Sequence, residues 1–273
     1  MSRRAEVCLL GVADDLYTKL VMAHFTRRAI PFDLIVVQER TPLATLPRWL
    51  RRLVGVIIEL NSGKYRALSK WSLFPYREYL RQALFYRSNA YRSLVAPYAG
   101  LRTADHHPLV VSSVNHVKVR SEIQRQGYRI GVLAGVGIVH GDIIGAFSDC
   151  CLNAHPAPLP QCRGGGAVQQ TLFRKLTPST SVHYATPAVD AGGILDVTPL
   201  ALRPDDTLES LSLRLTMQCA DRLAHVTERM LSHEALPVVE NTGPLNRWSD
   251  CTIEVQRAAH RQLKALLRPR GPV

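Results

Sequence analysis

Three polar residues in the middle of the chain, Asn153, His155 and Asp190, have the types and the order needed to pass an acyl group to an amine. An amide N–H and an imidazolium both donate to an oxygen that turns anionic as an amine adds to a carbonyl carbon, and a carboxylate nearby can manage the proton the amine loses. Asn153 and His155 stand two apart at the end of the apolar run 150–152. If that run is a strand, its pleat sends both side chains to one face, near the carboxyl end where open α/β sheets bind ligands. Asp190 follows in SVHYATPAVDAGGI, 181–194, just ahead of Gly192 and Gly193.

Other polar residues read differently. His183 lies within an apolar strand-like run and reads as a hydrogen-bonded core residue with a supporting role, not as a catalyst. The triplet Gly164 to Gly166 lacks the Lys and Ser or Thr of a phosphate loop, so it reads as tight backbone ahead of a helix. His106 and His107 have no Cys or acidic companion at a ligand spacing, and no metal is expected. Six cysteines, two of them adjacent at Cys150 and Cys151, show neither metal-ligand spacing nor the density of a secreted disulfide scaffold, so a cytoplasmic location is expected.

The elements that must position these residues alternate. Strands are expected at 7–12, 34–37, 109–111, 130–134, at the run carrying Asn153 and at the run ending at Tyr184. Helices are expected at 16–29, 114–126, near 142–147 and near 167–175. This predicts an α/β fold with a Rossmann-like, mostly parallel sheet and helices on both faces. After Pro204 the character turns helical. Asp206 can cap, Glu209 stands three on, and Leu208, Leu211, Leu215, Cys219, Leu223, Val226 and Met230 recur every three or four residues. That face is expected to pack on the sheet or on a second copy in a homodimer. With a last helix at 253–267, the reading is a catalytic domain over 1–200 and a mainly helical C-terminal extension over 201–273.

The 273 residues carry a net charge of +12, and 46% are apolar, enough for one large core. No apolar run approaches the roughly 20 residues that span a bilayer. Charge is concentrated at 41–102, where eleven Arg or Lys face only Glu59 and Glu78, a balance of nine. Ten of the eighteen aromatics are there too. Tyr76, Leu80, Ala83 and Leu84 fit one helical face and Arg77, Arg81 and Arg87 another, which predicts a helical insertion with a basic side. Arg77 and Arg81 are the candidates for holding an anionic part of a substrate, against the plainer reading of a solvated face.

The stretch CLNAHPAPLPQCRGGG, 151–166, together with 181–194, resembles the folate-dependent formyltransferase family, which includes glycinamide ribonucleotide, methionyl-tRNA and sugar N-formyltransferases. The resemblance rests on Asn153, His155, Leu159, Pro160, Arg163 and Gly164, then Val182, His183, Asp190 and Gly192. It spans about residues 105–200. It implies Asn153, His155 and Asp190 as catalytic residues and 10-formyltetrahydrofolate as the co-substrate. The folate would lie against 134–144, with Gly137, Ile138, Val139, His140 and Ile143, and against Val189 before Asp190; Arg163 and Gly164 would shape the acceptor side.

The first strand ends in GVADD, without the glycine-rich turn that such enzymes use for a purine-pathway phosphate, and the residues after Pro204 are too helical for the β-barrel of the tRNA enzymes. The expected reaction is therefore formyl transfer to the amine of a small metabolite, an amino sugar or a hydroxylamine-bearing amino acid, phosphorylated or nucleotide-linked. The alternatives are hydrolysis of the same folate and, less favoured, a noncatalytic protein that binds nucleic acid or a membrane surface through the basic insertion.

Overall fold

In the computed structural model, residues 5–38 and 74–268 are described. Seven strands form one sheet in the order β3-β2-β1-β4-β5-β7-β8. The strands are β1 (Val7–Val12), β2 (Phe32–Val37), β3 (Leu109–Val111), β4 (Ile130–Ala134), β5 (Cys150–His155), β7 (Ser179–Tyr184) and β8 (Ile194–Pro199). The first five are parallel; β7 runs antiparallel to β5, and β8 antiparallel to β7. The near-continuous apolar sequences of β1 and β4 are what a parallel strand covered on both faces requires.

Helices cover both faces. On one side α1 (Leu16–Arg27) and α7 (Leu208–Leu231) bury Leu20, Phe25, Cys219 and Leu223 against Leu9, Val132, Leu152 and Val182. On the other, α4 (Val117–Gln126) and α5 (Gly141–Ile144) bury Val119, Ile123 and Ile143 against Cys8, Leu10 and Cys151. The periodic face of α7 thus packs back on the sheet. Its cap is Thr207, which exchanges hydrogen bonds with Ser210; Asp206, read from the sequence as the cap, is buried and ion-paired with Arg214 instead.

The strand order reverses between β1 and β4, and the crevice beyond their carboxyl ends is where such sheets take ligands. The loop after β1 starts α1, with the Asp15 carboxylate accepting the Tyr17 N–H as a cap. Of the basic insertion, the part at 41–73 lies outside the described residues. The remainder forms α2 (Phe74–Arg87) and α3 (Asn89–Val95). Leu80 and Leu84 of α2, read as part of its packing face, are 56% and 60% exposed; Ala83 of that face is half-buried, and Gln82 and Phe85 are half-buried beside it.

A short α6 (Ala167–Phe173), α7 and α8 (Ile253–Leu266) share a separate core around Leu172, Leu211, Leu215 and Leu263. Between α7 and α8 the chain returns to the sheet's carboxyl end. There β9 (Leu245–Asn246) pairs with β6 (Arg163–Gly164).

Candidate active site

β5 positions Asn153 and His155 on one face, as the pleat requires. Its antiparallel partner β7 sets His183 directly opposite Asn153 and Ser181 opposite His155. Opposed residues of an antiparallel pair share a face, so β7 delivers His183 into the site. The Asn153 Nδ2 lies 3.4 Å from His183 Nε2. Ser181 braces the exit of β5, its hydroxyl accepting from Leu159 N–H and donating to the Ala157 carbonyl.

Asp190 enters from the turn between β7 and β8 in a left-handed conformation, φ 44°. One carboxylate oxygen lies 3.3 Å from His155 Nδ1 and accepts the Gly164 N–H at 3.2 Å. The other lies 3.6 Å from His183 Nε2 and accepts from Asn153 Nδ2 at 3.3 Å. These contacts are at the loose end of the hydrogen-bonding range, which is common before a reacting ligand draws such groups together. One carboxylate therefore gathers all three residues read from the sequence, together with His183.

The histidines have defined proton positions. His155 Nε2 donates to the Cys162 carbonyl at 2.8 Å, and His183 Nδ1 donates to the Tyr184 carbonyl at 2.8 Å; a carbonyl can only accept. In the neutral rings the bare nitrogens are thus His155 Nδ1 and His183 Nε2, both facing Asp190. Burial lowers the pKa of His155, against the pull of Asp190. Burial alone would raise the Asp190 carboxyl, but His183, His155 and the Gly164 N–H together hold it below its ordinary value. An ionised carboxylate beside a neutral imidazole is a proton-accepting pair. His155 Nε2 is committed to the Cys162 carbonyl, and the Asn153 amide nitrogen is loosely held between Asp190 and His183.

Two cavities meet at Asp190. The larger, 890 Å³, lies among Asp15 and Tyr17 of α1, Gln82, Phe85 and Tyr86 of α2, His155, the Gly164–Gly166 turn, Glu209 and Thr216 of α7, and Leu245 to Trp248. The smaller, 180 Å³, lies among Leu133, Gly137, Ile138, Val139, Ile144, Asn153, His183 and Pro187. Ile138, Val189 and Asp190 line both.

Of the residues expected to touch a carrier, Gly137, Ile138, Val139 and Val189 line the smaller cavity. Ile143 does not: it is fully buried in the core beneath, and Ile144 takes its place. His140 instead precedes α5, its N–H donating to Asn115 Oδ1, while Asn115 Nδ2 donates to the Ile138 carbonyl. Asn115 thereby fixes the 138–140 loop, and no sequence pattern marked it. Arg163 donates to the Gly243 carbonyl and does not line either cavity, whereas Gly164 lines the larger one. Arg81 meets His260 Nε2 of α8 at 2.7 Å and does not line the cavity. The side chain of Arg77 is outside the described residues. Among the described residues Arg247 is the cation that lines the larger cavity. Also among them, no three His, Cys, Asp or Glu side chains form a group able to hold a metal, and no helix is long and apolar enough to cross a membrane.

Comparison with known proteins places this geometry. Residues 91–227 match the family model described as Formyl transferase. The chain is 28% identical over 134 residues to the trifunctional purine biosynthetic protein adenosine-3 of Bos taurus, a match covering 45% of this chain and 13% of that protein. In three dimensions it resembles a sugar N-formyltransferase from a Shewanella species, with TM-score 0.55 and 13% identity over 94% of this chain and 87% of that one. It also resembles an N-formyltransferase from Helicobacter canadensis, solved with folinic acid and dTDP-3-aminofucose, with TM-score 0.54 and 11% identity over 95% and 80%. The matched half of the chain contains the whole of β5, β7 and the Asp190 turn, and the chain belongs to the formyl transferase family.

Proposed function

We propose that this protein transfers a formyl group from 10-formyltetrahydrofolate to the amine of a small biosynthetic metabolite, an amino sugar or a hydroxylamine-bearing amino acid. The observation that carries the reading is the place of Asp190, backed by His155 and His183, in the wall common to two cavities of unequal size. A wall common to two cavities is a place where two substrates can meet. The smaller cavity suits the carrier's ring end: Leu133, Val139 and Ile144 give it apolar walls, and Asn153, His183 and Asp190 form a polar end. Gly137, at φ 77°, leaves open space where a side chain would stand. The Helicobacter protein, a relative by fold, was solved with a folate and an amino-sugar nucleotide.

When bound, 10-formyltetrahydrofolate supplies an activated formyl carbon. Asn153 Nδ2, held only loosely by Asp190 and His183, is the donor that can turn to the formyl oxygen as it gains charge. The Asp190–His155 pair takes the amine's proton, which Nδ1 of His155 can hold against the carboxylate, and delivers a proton to the carrier nitrogen as its bond to the formyl carbon breaks, so that the products are the formamide and tetrahydrofolate. The larger cavity lies in the 300–1,000 Å³ range of small-molecule sites and is far more than an attacking water needs, which favours transfer over hydrolysis. Its aromatic wall of Phe85, Tyr86 and Trp248 suits a ring-bearing acceptor. The six free thiols fit a reducing, cytoplasmic compartment.

The test is to incubate the protein with 10-formyltetrahydrofolate and a panel of amines and to identify products by mass. A formylated amine that disappears with Asp190→Asn is expected. Formate release at the same rate with and without any amine would instead establish hydrolysis.

A further inference from the structure

The chain after α7 lies beyond the family match, which ends at residue 227, yet it is tied to the site along its length. Val239 bridges to Ile194, Gly243 accepts from Arg163, Leu245 and Asn246 pair with β6, and the Asn246 carbonyl accepts the Gly165 N–H. Within this strap Asn241 is buried, and its Nδ2 donates to the Asp190 carbonyl at 2.8 Å and to the Gly192 carbonyl at 3.0 Å. Its Oδ1 is buried without a hydrogen-bond partner among the described residues. Turning the amide over would set Oδ1 against two carbonyl oxygens, so the two donors must face the turn. Asn241 thus leaves its own acceptor unmatched while holding the backbone on either side of Ala191.

That backbone needs holding. Asp190 is a non-glycine residue in the left-handed region, a conformation that persists only where the surroundings impose it. Gly192 is pinned from the other side, since a Cβ there would fall 1.9 Å from the Tyr184 carbonyl oxygen. If the Asp190 backbone relaxes, its carboxylate leaves His155, His183, Asn153 and the Gly164 N–H together, because all four meet that one group.

We propose that Asn241 is a positioning residue for formyl transfer, clamping the Asp190–Gly192 turn so that the Asp190 carboxylate is aimed between His155 and His183. The proposal rests on the formyl-transfer reading for its chemistry but not for its geometry. The groups that face the carboxylate are Asn153 and His155 on β5, His183 on β7 and the Gly164 N–H.

The experiment compares Asn241→Ala and Asn241→Leu with Asp190→Asn, by NMR of the histidine rings over a pH series and by steady-state kinetics. Asn241→Leu keeps the approximate size, adds no charge and removes both donors, so it tests the clamp where the smaller side chain weakens folding. Both variants are expected to move the His155 and His183 ring resonances in the sense that Asp190→Asn does. Misplacing a reacting group by about 1 Å costs up to about 100-fold, so kcat should fall roughly 10- to 100-fold. KM for either substrate should change less than about twofold, the pattern of an interaction that matters in the transition state. Folded variants with unmoved ring resonances would overturn the proposal, as would a raised acceptor KM with kcat kept. If the wild type transfers no formyl group while the variants still perturb both rings, the clamp stands and the formyl-transfer reading falls.

Discussion

Asn153 and His183 stand directly opposite each other on β5 and β7, with Asn153 Nδ2 3.4 Å from a His183 nitrogen that carries no proton in the neutral ring. With Nδ1 committed to the Tyr184 carbonyl, Nε2 of the neutral ring can only accept. The Asp190 carboxylate accepts too, so the amide turns its nitrogen, not its oxygen, toward both. His183 and Asp190 together choose which end of Asn153 faces the reacting centre.

Replacing His183 by Phe fills the space and removes one of the amide's two acceptors, leaving Asp190 Oδ1 alone to hold its orientation. The expected outcome is a loss of roughly tenfold or more in kcat, while Asn153→Ala, which removes the oxyanion donor itself, loses about 10²–10³-fold. The double variant should lose little more than Asn153→Ala, since both act through one amide. Additive losses in steady-state kinetics would show that His183 acts independently of Asn153.

This pairing marks the boundary of what the sequence makes legible. The two-residue spacing of Asn153 and His155 fixes their common face through the strand period, and the three-four spacing along 208–230 fixes the buried face of α7. Neither depends on what lies across the sheet. Strand direction does: β7 has the same apolar character as the parallel strands, so its antiparallel register, and with it the meeting of His183 and Asn153, has no local mark. The strand Ile194–Pro199 has a period-two pattern of only four residues, Leu195 to Thr198, between a double glycine and a proline, too short to mark it against a loop. Ile143 and Ile144 differ by 100° on a four-residue helix, too short for periodicity to say which faces the core. Asn241 holds the site through a contact 51 residues away in the chain, with no recurring pattern around it.

The pH dependence should follow the proton-accepting pair. Burial depresses His155, and its partners depress Asp190, so the active form, with His155 neutral and Asp190 ionised, is populated at neutral pH. kcat/KM is expected to be flat through neutrality and to fall on an acid limb below the ordinary imidazole pKa of about 6.5. Stability should follow the same sense. For both depressed groups the contribution is complete above the unfolded pKa and is lost as pH falls through the folded one. A limb centred above pH 7 would mean that His155 is held protonated and is not the base.

Gly164 and Gly127 separate backbone strain from steric collision. Both have positive φ, 88° and 64°, but a Cβ on Gly164 would lie 2.3 Å from the Asn246 carbonyl oxygen, while one on Gly127 meets nothing within 4 Å. Gly127→Ala should cost about 1–2 kcal/mol, the ordinary penalty of left-handed backbone. Gly164→Ala must also push β9 away and should cost more, about 2–3 kcal/mol or above, with activity falling as the Gly164 N–H leaves Asp190. Thermal unfolding of the two variants checks the order. Equal losses would show that β9 moves aside freely.

Arg247 and Arg81 separate the cavity from the basic surface. Arg247 lines the larger cavity, whereas the guanidinium of Arg81 lies against His260 on α8. Recognition of an anionic group by arginine is charge-assisted and weakens with salt. For a phosphorylated or nucleotide-linked acceptor, Arg247→Ala is therefore expected to raise the acceptor KM by roughly tenfold, about 1.4 kcal/mol, and to flatten its dependence on ionic strength. Arg81→Ala should leave that KM within about twofold. The KM for 10-formyltetrahydrofolate should be unchanged in both, because neither arginine lines the smaller cavity. Kinetics across a salt series decide the matter. A selective effect of Arg81→Ala would return the acceptor's anionic part to the basic face of α2, and no effect of either would favour an acceptor without an anionic group, in keeping with Asp15 and Glu209 on the same cavity wall.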